Sequence, residues 1–248
     1  MKTEVFETHQ LLKTARRNYC KCASKLENKI KEQGYMSTFS NSLISLGMTI
    51  SWLERASEME KICYARKDSP KKDQRFVEII RFGFSWYAID SLLSRKEILA
   101  LTSASKKDNT QIKKFLCHHQ FSSLSNDKII EFEASIKKFL MMKSKTRLPD
   151  KPDKELVTAL EVINVKCTSD EQRKRGISKQ INEAIIQNDF GSLDLSTLLY
   201  AFRNWTVHGN VFDGSFGNKA HFLDFIIQLN LASAEIHLGI SEKLIELI

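Results

Sequence analysis

The chain is predicted to be all-α, and three features predict it. Nine glycines and three prolines in 248 residues are too few for the many turns of an all-β protein. Apolar residues recur at intervals of three and four along most of the length, and ten helical segments follow from that rhythm. No stretch alternates convincingly enough to be a strand, and no internal repeat or low-complexity tract interrupts the pattern.

The elements follow in order. Residues 3 to 33 and 38 to 66 read as two long helices separated at Gly34. Asp73 to Ser94 reads as the third, with Phe76, Ile79, Ile80, Gly83, Phe84, Tyr87, Ala88 and Ser91 on one face. Residues 95 to 102 and 109 to 119 are shorter helices. Asn126 caps a helix that runs to about Met142, with a stripe through Ile129, Phe132, Ile136 and Phe139. Ser144 to Asp153 holds two of the three prolines and reads as an exposed connection. Glu155 to Cys167 and Asp170 to Gln187 follow, the second opened by Ser169-Asp170-Glu171, whose oxygens can accept orphan amide protons.

Ser192-Leu193-Asp194 opens the next helix. Leu195, Leu198, Leu199, Phe202, Trp205 and Thr206 fall within a sector of roughly 120° at the helical turn per residue. Gly209 suits the left-handed position that stops a helix, and Asn210 to Asn218 is a loop. The final helix, about 219 to 247, is apolar over most of its circumference. Such a helix is either central to the fold or half of a dimer interface.

Composition narrows the function. A hydrophobic share of 42% with 27% charged residues is that of a soluble globular protein. The five cysteines are odd in number and scattered, which fits a reducing cytoplasm better than a disulfide framework. Met1-Lys2-Thr3-Glu4 lacks the apolar core of a signal peptide, and Ser37 to Leu53 is too polar to span a bilayer. The chain is therefore expected to be cytoplasmic and free of membrane. A net charge of +8 favours a polyanionic partner such as nucleic acid. Because no dense basic tract appears, a merely solvated basic surface is the competing reading.

One segment combines residue types that suggest chemistry: Arg203-Asn204-Trp205-Thr206-Val207-His208-Gly209. Arginine can hold a phosphate by two parallel hydrogen bonds, and histidine can move protons near neutral pH. On an ideal helix Arg203 and His208 lie about 140° apart, so they share no face. If the helix stops at Gly209, His208 is a capping residue whose ring is free to swing. Arg203 lies about 100° from the centre of the apolar stripe, which lets its stem pack at the edge while its head reaches a polar cleft. The plainer reading is that both residues complement the dipole of the last turn.

Arg-Asn followed by an apolar stretch and Val-His-Gly resembles the signature of the HEPN superfamily, in which Arg and His are separated by four to six residues and a polar residue often follows the Arg. Phe84-Ser85-Trp86-Tyr87-Ala88-Ile89-Asp90 also looks like the helix of the abortive-infection-like HEPN type that carries an aromatic residue followed by an acidic one. The match is sharp over 203 to 209 and soft over 73 to 94 and 193 to 247. It implies a single HEPN-like helical domain with an N-terminal elaboration at 1 to 72 and inserted helices at about 95 to 190. It also implies a metal-independent endoribonuclease acting on single-stranded RNA without a cofactor. His208 would be the base, Arg203 the phosphate ligand, and Asn204 would orient the histidine or a phosphate oxygen. Asp90 either pairs with Arg203, fixes the His208 tautomer, or is an ordinary carboxylate of its helix. HEPN proteins characteristically dimerise with two motifs facing each other, so a homodimer is expected, and related enzymes are often toxins or antiphage effectors held by an antitoxin or sensor protein. The tyrosine that follows the histidine in one HEPN subgroup is absent, since Gly209, Asn210 and Val211 stand there. The alternative is a HEPN-like helical module that binds RNA or a partner without catalysis.

Other candidates carry less. Lys137, Lys138, Arg173, Lys174 and Arg175 flank the proline-bearing connection and offer an RNA track, although each alone reads as a solvated charge. Cys117-His118-His119 has no second ligand pair at metal spacing, and no metal site is expected. His221 and His237 fall on the last helix, where a satisfied core or boundary histidine is the default. No phosphate-binding glycine loop, dinucleotide fingerprint or serine-nucleophile elbow is present.

Overall fold

The structure is a computed structural model that describes residues 2–33, 39–60, 70–93, 187, 203 and 220–248. Every described element is a helix: α1 (Lys2–Gln33), α2 (Phe39–Glu58), α3 (Pro70–Leu93) and α4 (Ala220–Leu247). Gln187 and Arg203 are also helical. The all-α expectation therefore holds over the described residues. The short helices expected between 95 and 167, the loop after Gly209 and the connection at 144 to 153 lie outside them.

The described residues fall into two compact units. One comprises α1, α2, α3 from Ile80 onward and α4 from Asn230 onward. The other takes α3 up to Ile79, α4 up to Leu229, Gln187 and Arg203.

In the first unit, α1 buries one clean stripe: Thr8, Leu12, Ala15, Tyr19, Cys22, Leu26 and Ile30. The alternating steps of four and three keep these side chains on one face, as a long helix lying against others requires. Contacts fix the directions of its neighbours. Arg16 pairs with Glu54 and lies 3.6 Å from Glu58, while His9 Nδ1 donates to Ser57 O at 2.6 Å, so α1 and α2 run antiparallel. Thr49 meets Ala88 O at 3.2 Å, and Arg81 donates from Nε to Ala56 O at 3.1 Å, so α2 and α3 are antiparallel too. Asn18 donates to Ser241 Oγ at 3.2 Å and Lys25 to Ile245 O at 2.9 Å, which makes α1 and α4 parallel.

The ends of the helices show why they stop where they do. Pro70 opens α3, where its fixed φ suits the helix and its missing N–H has no carbonyl to serve. The helix accordingly starts three residues before the expected Asp73. α2 ends at Glu58, well short of the expected residue 66. Its last carbonyls are taken by side chains from other helices: Arg81 binds the oxygens of Ala56 and Met59, and His9 binds that of Ser57. A helix whose terminal acceptors are bound in this way has no need of a further turn. At the other end of the unit Lys25 does the same for α4 by holding Ile245 O.

α3 departs from the sequence reading. Of the expected face, Ile79, Ala88 and Ser91 are buried, whereas Phe76, Ile80, Gly83, Phe84 and Tyr87 are only half-buried. The fully buried side passes instead through Glu78, Arg81, Phe82, Ser85, Trp86, Ile89 and Leu92. Polar residues sit inside because each finds an acceptor or donor there, as Arg81 does at the end of α2. The half-buried aromatics still cluster: Phe84 and Tyr87 lie 5.5 and 5.2 Å from the Trp52 ring, and Arg55 stands 4.7 Å over that ring.

α4 is buried on nearly every side. Each residue from Leu229 to His237 is inaccessible to solvent or almost so. Over that stretch the chain itself covers the apolar surface.

Candidate functional site

Of the residues singled out for RNA cleavage, two are described. Arg203 has helical backbone and a half-buried side chain, and it is engaged by its surroundings rather than extended freely into water. Asp90 lies near the end of α3, half-buried and likewise engaged. Asp90 belongs to the first unit and Arg203 to the second. Asn204 and His208 lie outside the described residues, as do Lys137, Lys138, Arg173, Lys174 and Arg175. Cys117-His118-His119 and the side chain of His221 do too.

The best-defined polar constellation is one the sequence does not advertise. It lies where α1, α3 and α4 meet in the first unit. His237 is fully buried; its Nε2 donates to Ser85 O at 2.8 Å. That bond leaves Nδ1 of the neutral ring as an acceptor, and the Tyr19 hydroxyl stands 3.5 Å from it and 3.3 Å from His237 O. The two rings meet edge to face, with centroids 6.2 Å apart. One turn earlier on α4, Ser233 Oγ and Ser85 Oγ share a hydrogen bond of 2.7 Å.

Electrostatics make this cluster a structural element rather than a reactive one. Burial lowers the His237 pKa from 6.5 to about 4, against the raising effect of the bond to Ser85, so the ring is neutral at physiological pH. Burial raises the Tyr19 hydroxyl well above its usual range, and the neighbouring Cys22 adds to the effect. Cys22 is itself pushed up to about 11 by burial, which keeps it a thiol and unreactive. A histidine with no solvent path and both ring nitrogens occupied has no proton to exchange with a substrate. His237 is thus the satisfied core histidine that is the default for that helix.

Cys20 is exposed and Cys22 buried, and neither forms a disulfide. Among the described residues no group of three or more His, Cys, Asp or Glu is placed to hold a metal ion. No described helix is long and apolar enough to cross a membrane.

No model of a protein family, no curated protein and no solved structure matches the chain.

Proposed function

We propose that the protein is a metal-independent endoribonuclease that cleaves single-stranded RNA through Arg203 and His208. The observation that carries the reading is the Arg203-x4-His208 motif with Asn204 beside the arginine and Gly209 closing the segment. Arg203 has helical backbone and is half-buried, as a residue of the expected motif helix would be.

The chemistry needs no cofactor. Neutral His208 removes the proton from a ribose 2′-OH as that oxygen attacks the adjacent phosphorus. Arg203 stabilises the negative charge that grows on the non-bridging oxygens. The P–O5′ bond breaks, the leaving oxygen takes up a proton, and the products carry a 2′,3′-cyclic phosphate and a 5′-OH. Asn204 orients the histidine or a phosphate oxygen, and Asp90 is proposed to support the pair. DNA lacks the attacking hydroxyl and is not a substrate. A second copy of the chain would bring a second histidine to protonate the leaving group, and a two-fold axis makes that pairing natural. A role as a toxin or antiphage effector, restrained by an antitoxin or sensor protein, follows from such an activity.

The test is to incubate purified protein with labelled single-stranded RNA in excess EDTA, beside His208→Ala and Arg203→Ala. Cleavage by wild type alone is expected, with activity in each variant reduced by at least a hundredfold. Equal cleavage by all three would overturn the assignment. Binding without cleavage in all three would favour a non-catalytic RNA-binding module.

A further inference from the structure

The outward face of α1 is cationic over its middle turns. The helix carries eight Lys and Arg against four Glu, so its net +4 is half of the chain's net +8. The acids stand near its ends, at Glu4, Glu7, Glu27 and Glu32, and none lies between residues 8 and 26. Opposite the buried stripe of Leu12, Tyr19 and Leu26 run Lys13, Arg17, Lys21, Asn28 and Lys31, all exposed. Among the described residues, no ion pair or hydrogen bond takes up Lys13, Arg17 or Lys21. Arg16, one position away, is by contrast turned inward to Glu54 and Glu58. The helix thus sorts its cations: Arg16 neutralises acids on α2, Lys25 holds the Ile245 carbonyl of α4, and Lys13, Arg17 and Lys21 face water.

Spacing gives that face a shape. Lys13, Arg17 and Lys21 are four residues apart, which places successive charges about 6 Å apart along the axis, and Lys13 to Lys31 spans about 27 Å. The slanted row of Lys13, Arg17 and Lys21 has an interval close to that of the repeating charge of an extended sugar–phosphate strand. Phe6, at 65% exposure, stands on the same face toward the start of the helix and offers a ring on which a base can stack. Solvated lysines alone are commonplace; three cations in a stretch free of acids, with an exposed aromatic one to two turns before them, are not what solubility requires. An anionic membrane is the poorer fit, since the face has one large apolar side chain where an interfacial helix needs a continuous apolar strip.

We infer that the solvent face of α1, through Lys13, Arg17, Lys21 and Lys31 with Phe6, binds the backbone of single-stranded nucleic acid without reading its sequence. The inference rests on the ribonuclease reading in taking RNA as the natural strand.

The test uses the full-length protein and a fluorescent oligodeoxyuridine, which has no 2′-OH and reports binding whether or not the protein cuts RNA. Anisotropy is measured over a range of salt concentrations for wild type, Lys13→Gln/Arg17→Gln/Lys21→Gln, Lys13→Arg/Lys21→Arg and Phe6→Ala. Removing three phosphate contacts should flatten the log–log salt dependence by about two units. It should also weaken binding at least tenfold at low salt. The arginine variant should bind as wild type does, and Phe6→Ala should lose affinity without a change of slope. Circular dichroism should be unchanged throughout, because the altered side chains are exposed. Unaltered binding by the triple glutamine variant would overturn the inference, as would binding of wild type to phosphatidylserine vesicles but not to the oligonucleotide. Binding lost with these changes while RNA cleavage fails altogether would sink the ribonuclease reading and leave this one standing. Cleavage that persists in a wild type with no measurable affinity for the oligonucleotide would do the reverse.

Discussion

His237 shows how a single side chain can tie stability to pH. It is buried and neutral, donating to Ser85 O and standing beside the Tyr19 hydroxyl. Its pKa falls from 6.5 in an unfolded chain to about 4 in the fold, so between those values the unfolded state binds more protons. Its contribution is therefore complete above pH 6.5 and is lost as the pH falls through 4, a difference on the order of 3 kcal/mol. Urea denaturation of wild type and His237→Gln should give midpoints whose pH dependence differs over that window. Parallel curves would mean that the ring is not buried as described. Arg81 is the second such residue, since it holds the carbonyls of Ala56 and Met59 at the end of α2. Arg81→Met should cost about 2–4 kcal/mol by the same assay, because buried acceptors lose charged donors. Arg81 and Ser85 also mark the limit of what the sequence reveals. Nothing in Arg81 or Ser85 announces burial: each is polar, and each goes inside only because an acceptor or donor on a different helix awaits it. Periodicity sees the apolar members of α3, so it chose the side carrying Phe84 and Tyr87. The partners that admit the polar side are invisible until the helices have docked.

Among the elements, legibility rises with length and with contrast between faces. The end of α1 at Gln33 and the extent of α4 are readable because long apolar rhythms end at polar or glycine-bearing breaks. The end of α2 is not, since the sequence to residue 66 keeps a helical rhythm, and the side chains that bind the last carbonyls, Arg81 and His9, come from other helices. Helix interiors give a separate prediction. Gly47 on α2 and Gly83 on α3 have open space where a Cβ would stand, and nothing around either requires glycine. Gly47→Ala and Gly83→Ala should each stabilise the protein by about 0.5–1 kcal/mol. A loss of stability in thermal denaturation would show that backbone freedom or a close approach matters there. Cysteine accessibility tests the face assignment of α1: in the native protein a maleimide should label Cys20 rapidly and spare Cys22, which is buried with its pKa near 11. Equal labelling of both would contradict the direction in which that helix is turned.

For the molecule as a whole, the helical class was legible from scarce glycine and proline and from the three-and-four rhythm, and the described residues bear it out. The candidate site was legible only as a motif. Residue types within a seven-residue segment can be read from sequence, whereas the approach of Asp90 or of a second copy depends on tertiary and quaternary geometry that local spacing does not encode. The homodimer therefore belongs to the proposal, and sedimentation at micromolar concentration should find a mass near twice 28.6 kDa if two motifs are to share one cleft.

The measurement that bears most directly on the central claim is cleavage of a labelled RNA in excess EDTA, once its cut position has been mapped. The same RNA should then be tested with a single 2′-deoxy nucleotide at that position. Wild type should cut the first substrate to a 2′,3′-cyclic phosphate end and spare the second at that position, while His208→Ala should cut neither. Cutting at the deoxy position, or a requirement for added divalent metal, would contradict transphosphorylation by Arg203 and His208.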